Sequence, residues 1–441
     1  MKRLTLEATD ENILKSIKEN TYNRNSDVKD FIEALDTIEG NMFISLDARW
    51  GEGKTFYVRQ IEKTLEYLTK RAWGDGQAET VEELNPYFQN TVLNSISLNQ
   101  SYLPIYYNAW LYDNHDDPLM SLIYTIVKKA NQYINTALDK SKKERLLQAL
   151  SSLSVSFNFG FVQVSASGEG IKDALTVEDI LKNINTAEEI RELVKNILDS
   201  VIIEKAQRLV IYIDELDRCR PSYAIEMLER IKHYFDDERI IFVVSVNKEQ
   251  LVHTISKHYG YGFDSTGYLN KFFDINAYLP EVSNNNLFDS YRNDQYHLNN
   301  IAEGLNDYYK LSLRDGLIFK QRISMLSLGL VSDISQTGLC LSLFVPLIII
   351  LDIKNQSEKT RFLDGESNIL ETLCKEIHFM LCRLDGSGND ENEKFDIGFE
   401  KIIEVYNYAF KELGREAYYK LNMEIRVDLK EICMKICNVL G

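Results

Sequence analysis

The stretch that most constrains the fold is Met42 to Thr55, MFISLDARWGEGKT, where a short apolar run breaks into a turn built on Gly51 and Gly53 and ends in Lys54-Thr55. This approximates the phosphate-loop pattern G-x-x-x-x-G-K-S/T, in which backbone N–H groups cradle phosphates, the lysine reaches the outer phosphates and the hydroxyl coordinates Mg²⁺. Ala48 stands where the first glycine is usual, and its small side chain still permits close approach. Residues 42 to 46 read as a buried strand, and Val58, Ile61, Leu65 and Leu68 recur at helical spacing after the loop. Strand, glycine loop and helix together place a helix N-terminus at the phosphates. The candidate nucleotide contacts are Trp50, Gly51, Glu52, Gly53, Lys54, Thr55 and the adjoining Phe56.

A second landmark is Arg208 to Pro221, RLVIYIDELDRCRP. The run Leu209 to Ile213 predicts a fully buried strand that delivers Asp214 and Glu215 to its C-terminal end, the edge where open α/β sheets bind ligands. Asp214 suits a Mg²⁺ shell and Glu215 suits the orientation and deprotonation of an attacking water, because γ-phosphate transfer needs both a cation and an aligned nucleophile. The plainer alternative is an acidic pair that solvates a strand end. Arg218 follows in the same loop, either near the charge that develops on the phosphates or paired with Asp217.

The remaining elements fit an open α/β rhythm. Helical spacing recurs over residues 1 to 40, with Arg24 and Asn25 ahead of the second helix, as polar helix-start residues or as nucleotide contacts. Gly74 to Thr80 reads as a surface turn followed by a polar segment to about Gln100, and Pro104 to Trp110, PIYYNAW, as a strand. A helix with Leu119, Leu122, Ile123, Ile126 and Val127 on one face begins near Pro118. Residues 153 to 166 alternate Val155, Phe157 and Phe159 with Ser154, Ser156 and Asn158, which predicts a β-hairpin, either covering the core edge or docking another chain. Arg239 to Val246 is strand-like and ends at Asn247, which reads either as a γ-phosphate sensor or as the opening of a capping box with Gln250. Asn247-Lys248-Glu249-Gln250 departs from the guanine-reading N-K-x-D at Gln250, so ATP is preferred over GTP. Tyr268 to Leu279 is a further strand candidate, and helices follow Pro280, among them one carrying Arg314 and Arg322, either of which could turn back to the nucleotide or stay in solvent. The domains are expected at 1–40 (helices packed on the core), 41–280 (NTPase core, insertion at about 150–170) and 281–441 (helical).

Composition narrows the partners. The formal charge of −17 opposes nucleic acid, and with it a translocase role, as well as anionic membrane surfaces. Six cysteines without paired spacing and six scattered histidines suggest neither a zinc site nor a disulfide framework, so a reduced cytosolic setting fits. The N-terminus lacks a signal-peptide pattern, and the longest apolar run, Leu339 to Leu351, falls short of the roughly 20 residues a bilayer span needs. It reads as a buried core helix.

Four features taken together resemble the KAP family of P-loop NTPases. They are Trp50-Gly51-Glu52-Gly53-Lys54-Thr55, Tyr107-Asn108-Ala109-Trp110, Asp214-Glu215-Leu216-Asp217-Arg218-Cys219 and Tyr268-Leu269-Asn270-Lys271-Phe272-Phe273. The resemblance spans about residues 20 to 330. It implies an α/β fold of the additional-strand catalytic-glutamate (ASCE) type, with parallel strand order 5-1-4-3-2. Lys54, Thr55, Asp214 and Glu215 would then carry hydrolysis of ATP with Mg²⁺, with Lys271, Arg314 and Asn247 as sensor positions to test. Many relatives insert transmembrane helices before the acidic strand, where this chain has the alternating segment 153–166, so a cytoplasmic protein without an integral membrane segment is expected. Bacterial relatives are implicated in defence against phage beside partner proteins. The implied function is an ATPase switch controlling assembly with other subunits, as a homo-oligomer or a multi-protein defence complex. The alternative is a scaffold that holds ATP structurally and recruits an effector.

Overall fold

Alternation along five short strands decides the architecture. In the computed structural model, which describes residues 7–73, 78–115, 117–134, 206–280, 296–326, 336–376, 399–411 and 428–440 together with Lys195 and Asp199, the strands are β1 (Met42–Asp47), β2 (Tyr102–Asn108), β3 (Arg208–Asp214), β4 (Ile240–Val246) and β5 (Ile275–Tyr278). They form one sheet in the order β2-β3-β4-β1-β5, and every pairing is parallel. Read from the other edge this is the expected 5-1-4-3-2.

Successive residues of a strand face opposite sides of a sheet, so each strand feeds two cores. Phe43, Leu103, Ile105, Tyr107, Ile211, Ile213, Phe242 and Val244 enter one core, which is closed by α5 (Pro118–Ile134) and α6 (Pro221–Tyr234). Ile44, Leu46, Tyr102, Val210, Tyr212, Ile241 and Val243 enter the other. That side is closed by α1 (Asp10–Lys18), α2 (Asn25–Asp36) and α3 (Lys54–Trp73). Both cores lie within one compact unit, Glu7–Glu281. β3 and β4 are buried at every residue, as strands covered on both faces must be.

Three expectations need correction. The polar segment after the first turn contains a helix, α4 (Ala78–Phe88), followed by a 3₁₀ turn at Val92–Ser95. Its anchor is Phe88, fully buried and stacked on Tyr67 with ring centroids 4.3 Å apart, and Val81, Leu84 and Phe88 fall at helical spacing on the face that meets the core. The strand candidate 268–279 divides into a short helix, Ser265–Asn270, and β5. The Asp264 carboxylate accepts the Gly267 N–H at 2.9 Å and starts that helix, while Leu269, Phe272 and Phe273, at helical spacing, enter the core. The strand at 104–110 runs instead from Tyr102 to Asn108, and Ala109–Tyr112 form a 3₁₀ turn that the Asn108 side chain opens by accepting the Leu111 N–H. The hairpin expected at 153–166 lies outside the described residues.

The second unit comprises Met1–Leu6 and Val282–Gly441, and its described elements are all helical. Its longest helix, Gln336–Lys354, is buried along residues 340–351 and packs Phe344 against Phe362, Tyr406 and Phe410, so the longest apolar run is a core helix. Among the described residues no helix is long and apolar enough to cross a membrane.

Phe242 sits at the centre of the first core, stacked on Phe43 at 4.9 Å and edge-on to Phe235 at 5.5 Å. Phe242→Ala is expected to lower the stability of this unit by about 3–5 kcal/mol, read from urea titration of the full chain.

Candidate functional site

The turn after β1 is set by two glycines that hold left-handed backbone, Gly51 at φ 89° and Gly53 at φ 85°. A side chain at either position would be strained, and the pair wraps the chain into a loop ahead of α3. Lys54 is the first residue of α3, 9 % exposed. Its ammonium donates to the carbonyls of Ala48 at 2.6 Å and Arg49 at 3.2 Å, so the side chain folds back over its own loop. Burial pulls the Lys54 pKa below its ordinary value, while the charges of Asp217, Asp214, Glu215 and Glu52 act against that. Glu52 also closes the loop on itself, its carboxylate accepting the Arg49 N–H at 3.2 Å. Phe56 packs, partly buried, against the core beneath.

Arg24 braces the loop from the other side. Only 2 % exposed, its guanidinium donates to the carbonyls of Glu52 at 3.0 Å, Gly53 at 3.3 Å and Pro280 at 3.3 Å, and it lies 5.7 Å from the Tyr57 ring centroid. Burial lowers its pKa. These donors lie on loop backbone, a supporting role beyond the helix start or nucleotide contact expected from the sequence.

Because β3 runs parallel to β1 with β4 between them, the acidic pair emerges on the same edge as the loop. Asp214 is 1 % exposed, and its Oδ2 accepts the Tyr106 hydroxyl at 3.0 Å. Glu215 takes left-handed backbone, φ 63° and ψ 22°, a conformation that costs a non-glycine residue and is held only where its surroundings fix it. Its Oε1 accepts the Thr55 hydroxyl at 3.2 Å, and its Oε2 forms an ion pair with the Arg218 guanidinium. Burial first, then the charges of Asp214 and Asp217, raise the Glu215 pKa against the opposing pull of Arg218 and Thr55.

Two tryptophans frame this cluster. The indole N–H of Trp50, 48 % exposed, donates to Asp217 Oδ2. Trp110, 54 % exposed, lies with its ring centroid 5.7 Å from the Arg218 guanidinium carbon. Asp217 therefore serves Trp50, and Arg218 serves Glu215 instead of Asp217. Asn247, 6 % exposed, accepts the Gln250 N–H at 3.2 Å and caps the helix Lys248–Tyr259, the simpler of its two readings.

Lys271 and Arg314 are exposed. Arg322 is ion-paired with Asp352 at 2.6 Å within the helical unit. Sequence reasoning did not find Tyr106. Its signal was a hydroxyl two residues short of a strand end, which means nothing until the neighbouring strand is known.

The Asp214 carboxylate at the end of β3 and the Thr55 hydroxyl in the first turn of α3 are hard oxygen donors at one edge of the sheet, so both fit Mg²⁺, a cation that takes few protein ligands and completes its shell with water and phosphate. The loop geometry and buried ammonium fit a polyphosphate. The model of the KAP family P-loop domain matches residues 24–323. No curated protein matches the chain.

The raised Glu215 pKa has a consequence for stability. The folded chain holds this proton more tightly than the unfolded one, so the contribution is full below the ordinary value of 4.5 and is lost as pH climbs through the raised native value. Glu215→Gln removes the titration. Thermal melts at steps from about pH 4 to about pH 8 are expected to show the variant gaining on the parent as pH rises. A pH-independent difference would contradict this.

Proposed function

The chain belongs to the KAP family of P-loop NTPases, and on that premise we propose that it binds ATP with Mg²⁺, hydrolyses it, and uses the nucleotide state to control assembly with other protein subunits. The observation that carries this reading is the meeting of the Thr55 hydroxyl with the Glu215 carboxylate at 3.2 Å, which joins the phosphate loop to the acidic strand end in one site.

In this reading Trp50, Gly51, Glu52 and Gly53 contribute loop backbone to the phosphates, Lys54 supplies the cation for the outer phosphates, and Phe56 and Arg24 keep the loop in shape. Thr55 and Asp214 would hold the metal, which when bound supplies charge neutralisation at the phosphates. Glu215 accepts the proton of the attacking water, a task that its upward pKa displacement favours. Arg218 neutralises that carboxylate in its present ion pair. Turning toward the phosphates would free the base and bring a cation to the charge that develops there. Asn247, at the end of β4, is the candidate sensor. Residues 281–441 form the proposed helical domain toward partners. A cytoplasmic setting is proposed from the cysteine usage and from kinship, and a role in bacterial defence against phage from kinship.

The same Arg218–Glu215 pair favours a second reading, in which ATP is retained without turnover and the chain acts as a scaffold. Turnover by the purified full chain separates the two. Lys54→Ala is expected to lose nucleotide binding, and Glu215→Gln to bind ATP while losing about 10²-fold or more in turnover. Unchanged turnover in Glu215→Gln would remove Glu215 as the base, and stoichiometric ATP retention by the parent without hydrolysis would leave the scaffold. Particle mass with and without ATP and Mg²⁺ tests control of assembly.

A further inference from the structure

Asp214 is buried, and its Oδ2 is taken by the phenol of Tyr106, 3.0 Å away on the neighbouring strand. The two residues are not opposite one another. The β2–β3 register pairs Asn108 with Asp214 and Tyr106 with Tyr212, so the phenol reaches diagonally along one face of the sheet to the strand end. The ring has little freedom. Tyr106 packs against the core beneath α3, and the Arg59 guanidinium carbon lies 4.6 Å from its centroid. Arg59 is itself held by ion pairs to Asp10 and Glu62.

We propose that Tyr106 is the positioning residue of the metal site: by occupying Oδ2 it makes Asp214 a one-oxygen ligand and presents Oδ1 to the cation. The inference rests on the reading of Asp214 as a metal ligand. Its chemical content is selectivity. Mg²⁺ demands near-ideal octahedral geometry, whereas Ca²⁺ accepts carboxylates through one oxygen or two. A carboxylate with one oxygen tied by a hydrogen bond therefore suits the smaller ion, and a freed carboxylate loses that preference. Partners that orient a metal ligand in this way contribute substantially to affinity.

The experiment uses the full chain and a fluorescent ATP analogue, titrated with MgCl₂ or CaCl₂ and, separately, in EDTA. Tyr106→Phe keeps the ring beneath Arg59 and removes only the hydroxyl. Binding in EDTA is expected to be unchanged, and the Mg²⁺ concentration needed for half of the metal-dependent binding to rise about tenfold. The Ca²⁺ requirement should move much less. If Tyr106→Phe fails to fold, Tyr106→His, whose ring N–H can still donate, is expected to retain the parental preference for Mg²⁺ over Ca²⁺; loss of that preference in a folded Tyr106→His would count against the proposal. An unchanged Mg²⁺ requirement, or equal shifts for Mg²⁺, Ca²⁺ and EDTA, would overturn it while leaving the nucleotide reading intact. A parent chain that binds the analogue without metal dependence would remove Asp214 as a ligand, and a parent that binds no analogue would remove the proposed function and this inference together.

Discussion

The position of β4 between β1 and β3 is the constraint on which the site depends. β4 pairs along its length with both neighbours, Met42 opposite Ile241 on one side and Leu209 opposite Ile240 on the other. All three strands run parallel, so the loop after β1 and the acids after β3 leave the sheet on the same edge, one strand apart. That spacing leaves a gap between loop and acids. Thr55 and Trp50 close it from the loop side by reaching Glu215 and Asp217.

Electrostatics then sets the character of the edge. Three carboxylates, Asp214, Glu215 and Asp217, stand near two cations, Lys54 and Arg218, in surroundings where burial weakens the charged form of Lys54 and Glu215 alike. Each group is consequently held by a specific partner. Lys54 lies on loop carbonyls, Asp214 on the Tyr106 phenol, Asp217 on the Trp50 indole and Glu215 between Thr55 and Arg218. The left-handed backbone of Glu215 belongs to the same arrangement, since it lets consecutive acids at 214 and 215 engage different partners. The family motifs that lie far apart in the chain thus meet as contacting pairs: Trp50 with Asp217, and Trp110 with Arg218.

Much of this was legible in the chain because its signals are local. Gly51 and Gly53 mark a turn by their own backbone freedom, the apolar runs 209–213 and 240–246 mark buried strands by composition, and Asp214-Glu215 marks the strand end by polarity. Asn247 was legible as a cap for the same reason, since its partner is three residues away. The helix at Ala78–Phe88 left only a faint signal, the short series Val81, Leu84 and Phe88 at helical spacing, with Pro86 inside it, and Phe88 finds Tyr67 only in the folded chain. The run 268–279 misled because aromatic and β-branched residues suit a strand as well as a core-facing helix, and the Asp264 cap decided between them.

The sequence by itself determined a P-loop α/β domain with its loop and acidic strand, since turn conformations and strand burial follow from neighbouring residues. Only the tertiary structure decided how the charges are shared. Arg24 turned its guanidinium to the carbonyls at 52, 53 and 280, Arg218 paired with Glu215 and not Asp217, and Tyr106 came to Asp214 from the adjacent strand. For Arg24 and Asp214 the physical reason is distance along the chain, and for Arg218 it is that the Trp50 indole takes Asp217. A buried polar group must take whichever partner the fold brings within reach, and for Arg24 and Asp214 those partners lie up to 256 and 108 residues away.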